Sequence, residues 1–375
     1  MPLSRRRLLS LATASGLAGL APTPLFSASA AEDLYARSIV IDGCGGPGGR
    51  NLDEETLLNA MELADVRESG LAAINMTIGS VGEMPTLEAF ESIMRDIAEW
   101  DGEIDAHPDT LARIRTVDDI VSAHQSGQCG LIYALQDGVA FEDDIGRLDA
   151  LWQFGVRVIQ PTYNRRNLLG DGCMEPADAG LSRSGVEAIE RLNELGILVD
   201  LSHCGRRTTA DAIAISSKPV AFTHTGAFAL AEHPRHRTDA ELRAVADTGG
   251  VIGIFIMPYL ARGNQPTAAD VIAHLEHAID VAGEDHVSIG TDGNVSPTEL
   301  TEAYIEEFRE ETRSRKERGI AAPFETEEGY LFASDLNTAR RFETLTGMLL
   351  DRGYSESRVQ KILGGNLLRV FSETW

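Results

Sequence analysis

Two short apolar runs of this chain each end in a histidine: VDLSHCG (199–205) carries His203 and FTHTGA (222–227) carries His224. A third, HVSIGTDG (286–293), delivers Asp292. Neutral imidazole and carboxylate are ligands that zinc and related divalent ions accept, and an ion with an open position polarises a carbonyl and lowers the pKa of water toward about 7. The chemistry implied is metal-assisted hydrolysis. One such histidine says little; two at consecutive strand ends, with an acid at the last strand, make a converging set if the strands form a barrel.

The elements that must position these groups support that condition. Eight β-rich runs recur along the chain: 38–42, 71–76, 129–135, 155–160, 196–202, 219–223, 249–256 and 286–290. Between them lie stretches whose apolar residues return every three or four positions, such as 86–100, 184–195, 238–248 and 267–283. This alternation means parallel strands covered by helices, and eight continuous apolar strands predict a (β/α)8 TIM barrel with its chemistry at the C-terminal strand ends. An open doubly wound sheet would want GxGxxG after the first strand; IDGCGGPGG (41–49) has a proline where the helix should begin. The strand ends then deliver Asp42 and Cys44, Gln136 and Asp137, Tyr163 and Asn164, His203, His224, and Asp292. The charged stretch 298–319 reads as a solvated helix or excursion, and 355–371 as a final amphipathic helix packing on the barrel.

Length and charge bound the rest. A chain of 375 residues, 43% hydrophobic, can bury a large core, and a net charge of −25 argues against nucleic acid or an anionic membrane surface as partner. A small-molecule substrate is expected. Residues 1–30 read as an export signal: Ser4-Arg5-Arg6-Arg7-Leu8-Leu9 looks like a twin-arginine motif and Ala28-Ser29-Ala30 like a cleavage site, leaving 31–375 as one barrel domain in the periplasm or outside the cell. Beyond that signal, no apolar run approaches the roughly 18 residues of a membrane span. The four cysteines show no CxxC spacing, and in an oxidising compartment some of them could pair.

The segments IYALQDG, TYNRRN, GLSRSGVEAIERLNELGILVDLSH, PVAFTHTGAF, EHPRHRTDAEL, GGVIGIFIMPYL, HVSIGTDG and ILGGNLLRVF, in this order and spacing, resemble the membrane dipeptidase (renal dipeptidase-like) family over about residues 37 to 372. The resemblance implies an amidohydrolase-type barrel, a site for two zinc ions, hydrolysis of dipeptides or related amides such as acyl amino acids, and a homodimer. It makes His203 and His224 ligands of one metal, Arg235 the arginine that holds the substrate carboxylate, and Asp292 the acid that handles the proton of the attacking water.

Four positions depart from the family pattern. Its first strand ends in Asp-Gly-His-x-Asp, with the histidine and second aspartate as ligands; here Cys44 and Gly46 stand there. The bridging glutamate aligns with Gln136, a neutral amide, and the substrate-side histidine with Tyr163. Without those carboxylates two divalent ions would repel each other, so one ion is expected on His203 and His224, with Gln136, water or Asp292 completing its shell. Asp137 would reach the site only if its strand slipped by one residue, which turns it to the other face. Cys44 is read first as a small buried residue or a disulfide partner of Cys173 or Cys204, and second as a thiolate ligand. The expectation is a dipeptidase-like hydrolase with a reduced metal site; the alternative is a barrel of altered or lost activity that binds a small carboxylate.

Overall fold

The structure is a computed structural model describing residues 28–48, 57–261, 265–317, 319, 321–323 and 325–375. Each of the eight apolar runs forms one strand: β1 Ile41–Gly46, β2 Ala73–Thr77, β3 Cys129–Leu135, β4 Val156–Ile159, β5 Leu198–Asp200, β6 Val220–Ala227, β7 Val251–Ile254 and β8 Val287–Ile289. Neighbours in sequence pair in parallel from β1 through β8. The chain leaving β8 then pairs in parallel with the end of β1, Gly45 opposite Gly293 and Gly46 opposite Asn294, which closes the ring. A short strand Leu111–Arg113 adds to β3 and another, His236–Arg237, to β6; neither is legible as an apolar run.

The strands are buried on both faces, as a parallel sheet under helices requires. Ile41, Ala73, Leu198, Ala221 and Val251 near the strand starts, with Ile132 and Val158 farther along theirs, pack in one buried apolar cluster, and Leu367, Val370 and Phe371 of the last helix, Asn366–Thr374, belong to it. That end of the barrel is plugged with hydrocarbon, so solvent reaches the interior from the strand ends. Helix placement follows local signals: Arg183–Leu195 starts where Ser182 accepts from the Gly185 N–H and stops at Gly196 with φ 70°, which fixes the entry of β5 and hence of His203.

Two irregularities aim the strand ends. Across β6 and β7, Phe222 faces Ile252 and Thr225 faces Ile254, so Thr223 and His224 together oppose Gly253. Across β1 and β2, Asp42 faces Ile74 and Gly45 faces Met76, so Gly43 and Cys44 oppose Asn75. Two residues against one is a β-bulge, which bends the strand and re-aims a side chain. A Cβ on Gly253 would be driven into the Thr223 carbonyl, so glycine there is what admits the bulge carrying His224.

Candidate active site and metal centre

The bulges bring the histidines together at the barrel mouth. His203 and His224 are buried, their Nε2 atoms 3.0 Å apart. Their other ring nitrogens are held: His203 Nδ1 lies 2.7 Å from Asn164 Oδ1, and His224 Nδ1 lies 2.8 Å from Thr223 Oγ1. Thr223 Oγ1 itself donates to Asp200 Oδ2 at 2.6 Å, so its lone pair accepts the His224 Nδ1–H. Both protons then sit on Nδ1, and two bare Nε2 lone pairs face each other. Burial, helped by the nearby Arg235 guanidinium, keeps each imidazole pKa well below its ordinary value, so neither takes a second proton to relieve the contact. A cation between them would relieve it.

Asp292 and Cys44 complete the donor set. Cys44, His224 and Asp292 offer ligand atoms within 4.8 Å of one another. Asp292 has a φ of 57°, the one positive value among described residues other than glycine, and its N–H donates to the Cys44 carbonyl at 2.7 Å. Strain held in this way by neighbouring structure is common where a side chain must point into a site. Burial raises the Asp292 pKa to about 6, and burial beside Asp292 raises the Cys44 thiol well above its usual range. Without a cation the sulfur stays protonated; with one, it is a zinc-type ligand. Gln136 donates its amide to the Cys44 sulfur at 3.3 Å. All four cysteines are free, so the disulfide reading of Cys44 is withdrawn: Cys204 lies against Thr162 and Cys173 against Asn164.

The remaining expected residues line the same space. A cavity of about 280 Å³ is bounded by Tyr163, His203, Arg235, Tyr259, Asp292 and Arg315. Tyr163 stacks on the His203 ring with centroids 4.1 Å apart, and burial raises its pKa, so it is a neutral donor. Arg235 is 2% exposed; Nη2 reaches the His224 carbonyl at 3.3 Å, while Nε is buried with no hydrogen-bond partner among the described residues. A buried guanidinium with a free donor at the edge of a cavity suits a ligand carboxylate. Asp137 turns away, accepting from the N–H groups of Gly82 and Val139 and from Asn167.

Sequence reasoning missed Arg315 and Glu325. The helix Glu302–Glu317 is an excursion as expected, but one face of it is not solvated: Arg315 lines the cavity, hydrogen-bonds Tyr163 and holds Glu325 through two contacts of 2.9 and 3.1 Å. Tyr259 donates to the same glutamate at 3.1 Å. Charges of both signs all round a helix conceal which of them faces inward. Thr223 and Asp200, which orient His224, were also missed; the only signal was their position beside a strand-end histidine.

The sequence profile of the membrane dipeptidase family, peptidase family M19, matches residues 28–303 and 319–374. The chain belongs to that family. Among curated relatives, dipeptidase verJ of Clonostachys rogersoniana is 28% identical over 285 residues, 76% of this chain, and dipeptidase tcpJ of Claviceps purpurea 24% identical over 274 residues, 72% of this chain. The chain spans 65% and 57% of the length of those two proteins. Among solved structures, an amidohydrolase from Pseudomonas aeruginosa superposes with a TM-score of 0.79 at 33% identity, covering 92% of this chain and 99% of that one. A metallo peptidase from Rhodobacter sphaeroides, liganded with a phosphinate mimic of the dipeptide L-Ala-D-Ala, shares the fold with a TM-score of 0.73 at 20% identity, covering 90% and 100%.

Within this membrane dipeptidase fold the departures have a physical footprint. A Cβ on Gly46 would meet Asn294 Oδ1 at 2.6 Å, so the Asn294 side chain fills the space where a ligand side chain on residue 46 would start. The side chains present, Cys44, His203, His224 and Asp292, are two neutral imidazoles, a thiol and one carboxylate, donors of the kind zinc accepts.

Proposed function

We propose that the protein is an exported hydrolase that cleaves the amide bond of a dipeptide or acyl amino acid at a single divalent metal, zinc by the softness of its donor set. The observation that carries this is the pair of Nε2 lone pairs held face to face at 3.0 Å, with Asp292 and Cys44 beside them and Arg235 across the cavity. Bound there, the ion supplies Lewis acidity, polarising the scissile carbonyl and lowering the pKa of water.

The chain's own residues account for the rest. Arg235 anchors the substrate carboxylate and so sets the scissile carbonyl over the histidines. Tyr163, neutral and held by Arg315, donates a hydrogen bond to the carbonyl oxygen as negative charge gathers there. Asp292 takes a proton from the attacking water and returns it to the leaving amine: the water oxygen bonds to the acyl carbon, the C–N bond breaks, and an acid and an amine result. Thr223, Asp200 and Asn164 hold the ring tautomers that aim both Nε2 atoms inward.

Export rests on the arginine cluster and small-residue site in residues 1–30; residues 1–27 lie outside the described residues, and helix Ala28–Arg37, with Leu34 and Tyr35 buried, spans the expected cleavage point after Ala30. Among the described residues no helix is long and apolar enough to cross a membrane. The test of the function is hydrolysis of alanyl-alanine and N-acyl-alanine by metal-loaded protein, beside His203→Ala and His224→Ala. Both variants should lose metal and turnover together; metal content and turnover retained in both would refute the proposal. Binding of a carboxylate with no hydrolysis would leave the non-catalytic reading.

A further inference from the structure

One arrangement of donors around a buried aspartate occurs twice at the mouth of the barrel. At the end of β5, Asp200 accepts from the Ser202 N–H at 3.0 Å and from Thr223 on the neighbouring β6, through its N–H at 3.0 Å and its Oγ1–H at 2.6 Å; Ser202 Oγ joins them. On β1, Asp42 accepts from the Cys44 N–H at 3.2 Å and from Thr291 on the chain leaving β8, through its N–H at 2.8 Å and its Oγ1–H at 2.6 Å. The first cradle sets His224, the residue that follows Thr223. We infer that the second does the same for Asp292, the residue that follows Thr291. Asp42 and Thr291 are positioning residues: they hold the Asp292 backbone in its left-handed turn and so aim the carboxylate that takes the proton of the attacking water. This inference rests on the hydrolase reading and adds two residues to its machinery.

Asp292 needs to be held. Its φ of 57° is a conformation that a residue with a Cβ adopts at a steric cost, so hydrogen bonds on either side must keep it there. Asp42 fixes residue 291 by two of them. With its one proton given to Asp42, Thr291 Oγ1 is left to accept the Gly293 N–H at 3.3 Å, which ties residue 293 back across Asp292. The Asp292 N–H goes to the Cys44 carbonyl at 2.7 Å. The N–H groups of 291, 292 and 293 are thus all committed, two to β1 and one to the threonine that β1 holds.

In this turn the Asp292 carboxylate lies within 4.8 Å of the ligand atoms of Cys44 and His224. Relaxing φ to a negative value re-aims the Cα–Cβ bond and carries the carboxylate off that position. A proton acceptor misplaced by about 1 Å costs on the order of 100-fold in rate. The sequence leaves room for the cradle: a Cβ on Gly45 would stand 2.5 Å from Asp42 Oδ2, so glycine there frees that oxygen to meet Thr291. Asp42 and Thr291 are both buried, and neither is among the described residues that bound the substrate cavity, so their effect on the reaction runs through Asp292.

The test is Thr291→Val, with Thr291→Ser as the variant that keeps the hydroxyl, on the metal-loaded full chain with alanyl-alanine and N-acetyl-alanine. Thr291→Val should lower kcat about 100-fold while KM and metal content stay near wild type, and Thr291→Ser should recover most of the loss. In Asp292→Asn, already slow, Thr291→Val should cost less than about threefold more, because the group it aims is gone. A second loss of the full size there, or a rise in KM with kcat unchanged, would overturn the inference. Another readout needs no turnover. In metal-free protein, Asp292→Gly should unfold at higher urea than Asp292→Ala, since glycine takes φ 57° without the steric cost that alanine meets, and Thr291→Val should cut that gap by about half or more. Asp42→Asn, which offers one acceptor oxygen where two are used, should reproduce both effects. A gap unchanged by Thr291→Val overturns the cradle even in an active enzyme. If the wild type cleaves neither substrate but Thr291→Val narrows the gap, the hydrolase reading fails and the cradle stands.

Discussion

Thr223→Val probes the account where a single atom does two jobs. Thr223 Oγ1 accepts the His224 Nδ1–H at 2.8 Å and donates to Asp200 Oδ2 at 2.6 Å, both deeply buried. Valine keeps the shape and removes both bonds. Asp200 Oδ1 keeps Ser202 Oγ and the N–H groups of Ser202 and Thr223, but Oδ2 loses the one donor it has among the described residues. One bond is neutral and worth about 1 kcal/mol, the other ends on a carboxylate and is worth about 1.5–3, so the metal-free protein should lose roughly 3 kcal/mol. The freed imidazole can also put its proton on Nε2, the atom that should be bare, so zinc affinity should fall about 10- to 100-fold, the usual cost of an outer-shell partner of a ligating histidine. The assays are urea unfolding of metal-free protein and competition for zinc against a chelator. Thr223→Ser, which keeps the hydroxyl, is the control and should bind zinc within about threefold of wild type. Wild-type zinc affinity in Thr223→Val would show that His224 is not presented through Thr223, and the lone-pair argument for the metal would lose its basis.

Other perturbations test separate parts of the account. Gly253→Ala should destabilise by about 3 kcal/mol or more, because its methyl meets the Thr223 carbonyl in the bulge that carries His224; a urea midpoint within error of wild type would contradict that placement. Arg235→Lys should lower kcat/KM on carboxylate-bearing substrates about 100-fold, through the loss of a bidentate partner, and leave the corresponding C-terminal amides little changed; equal losses on both would refute the clamp. Asp137, raised by burial to about 6 against an unfolded value near 3.8, binds its proton more tightly folded than unfolded, so its contribution to stability is full below about pH 4 and is lost as pH rises through about 6. The stability difference between wild type and Asp137→Asn should therefore move by about 3 kcal/mol against wild type from pH 4 to 7, read from urea melts of metal-free protein; a flat difference would refute the burial argument.

The sequence made the barrel legible because its strands are buried on both faces and so read as unbroken apolar runs, while the helices betray themselves by period. What it could not show is where two residues oppose one. The bulges at Gly43–Cys44 and Thr223–His224 leave no mark on periodicity, yet they decide that Cys44 faces Asp292 and that the two histidines face each other. His203, His224 and Asp292 were readable because each ends a recognisable strand. Arg235 lies in a loop and came only through family resemblance. Arg315 and Glu325 were hidden in a segment whose charges, counted by composition, look uniformly solvent-facing, although the two pair with each other over the cavity. For Cys44, burial was foreseen; the mistaken part was a disulfide, which its position among Gln136 and Asp292 does not support.

The proposed function needs one ion on His203 and His224, with Cys44 and Asp292 beside them and Asp292 left to take the proton of the attacking water. Elemental analysis of protein purified after native export, as moles of each metal per mole of chain, addresses it directly. The account predicts close to one zinc or similar divalent ion in the wild type and almost none in His203→Ala or His224→Ala. Two ions per chain, or none in protein shown to be folded, would contradict it.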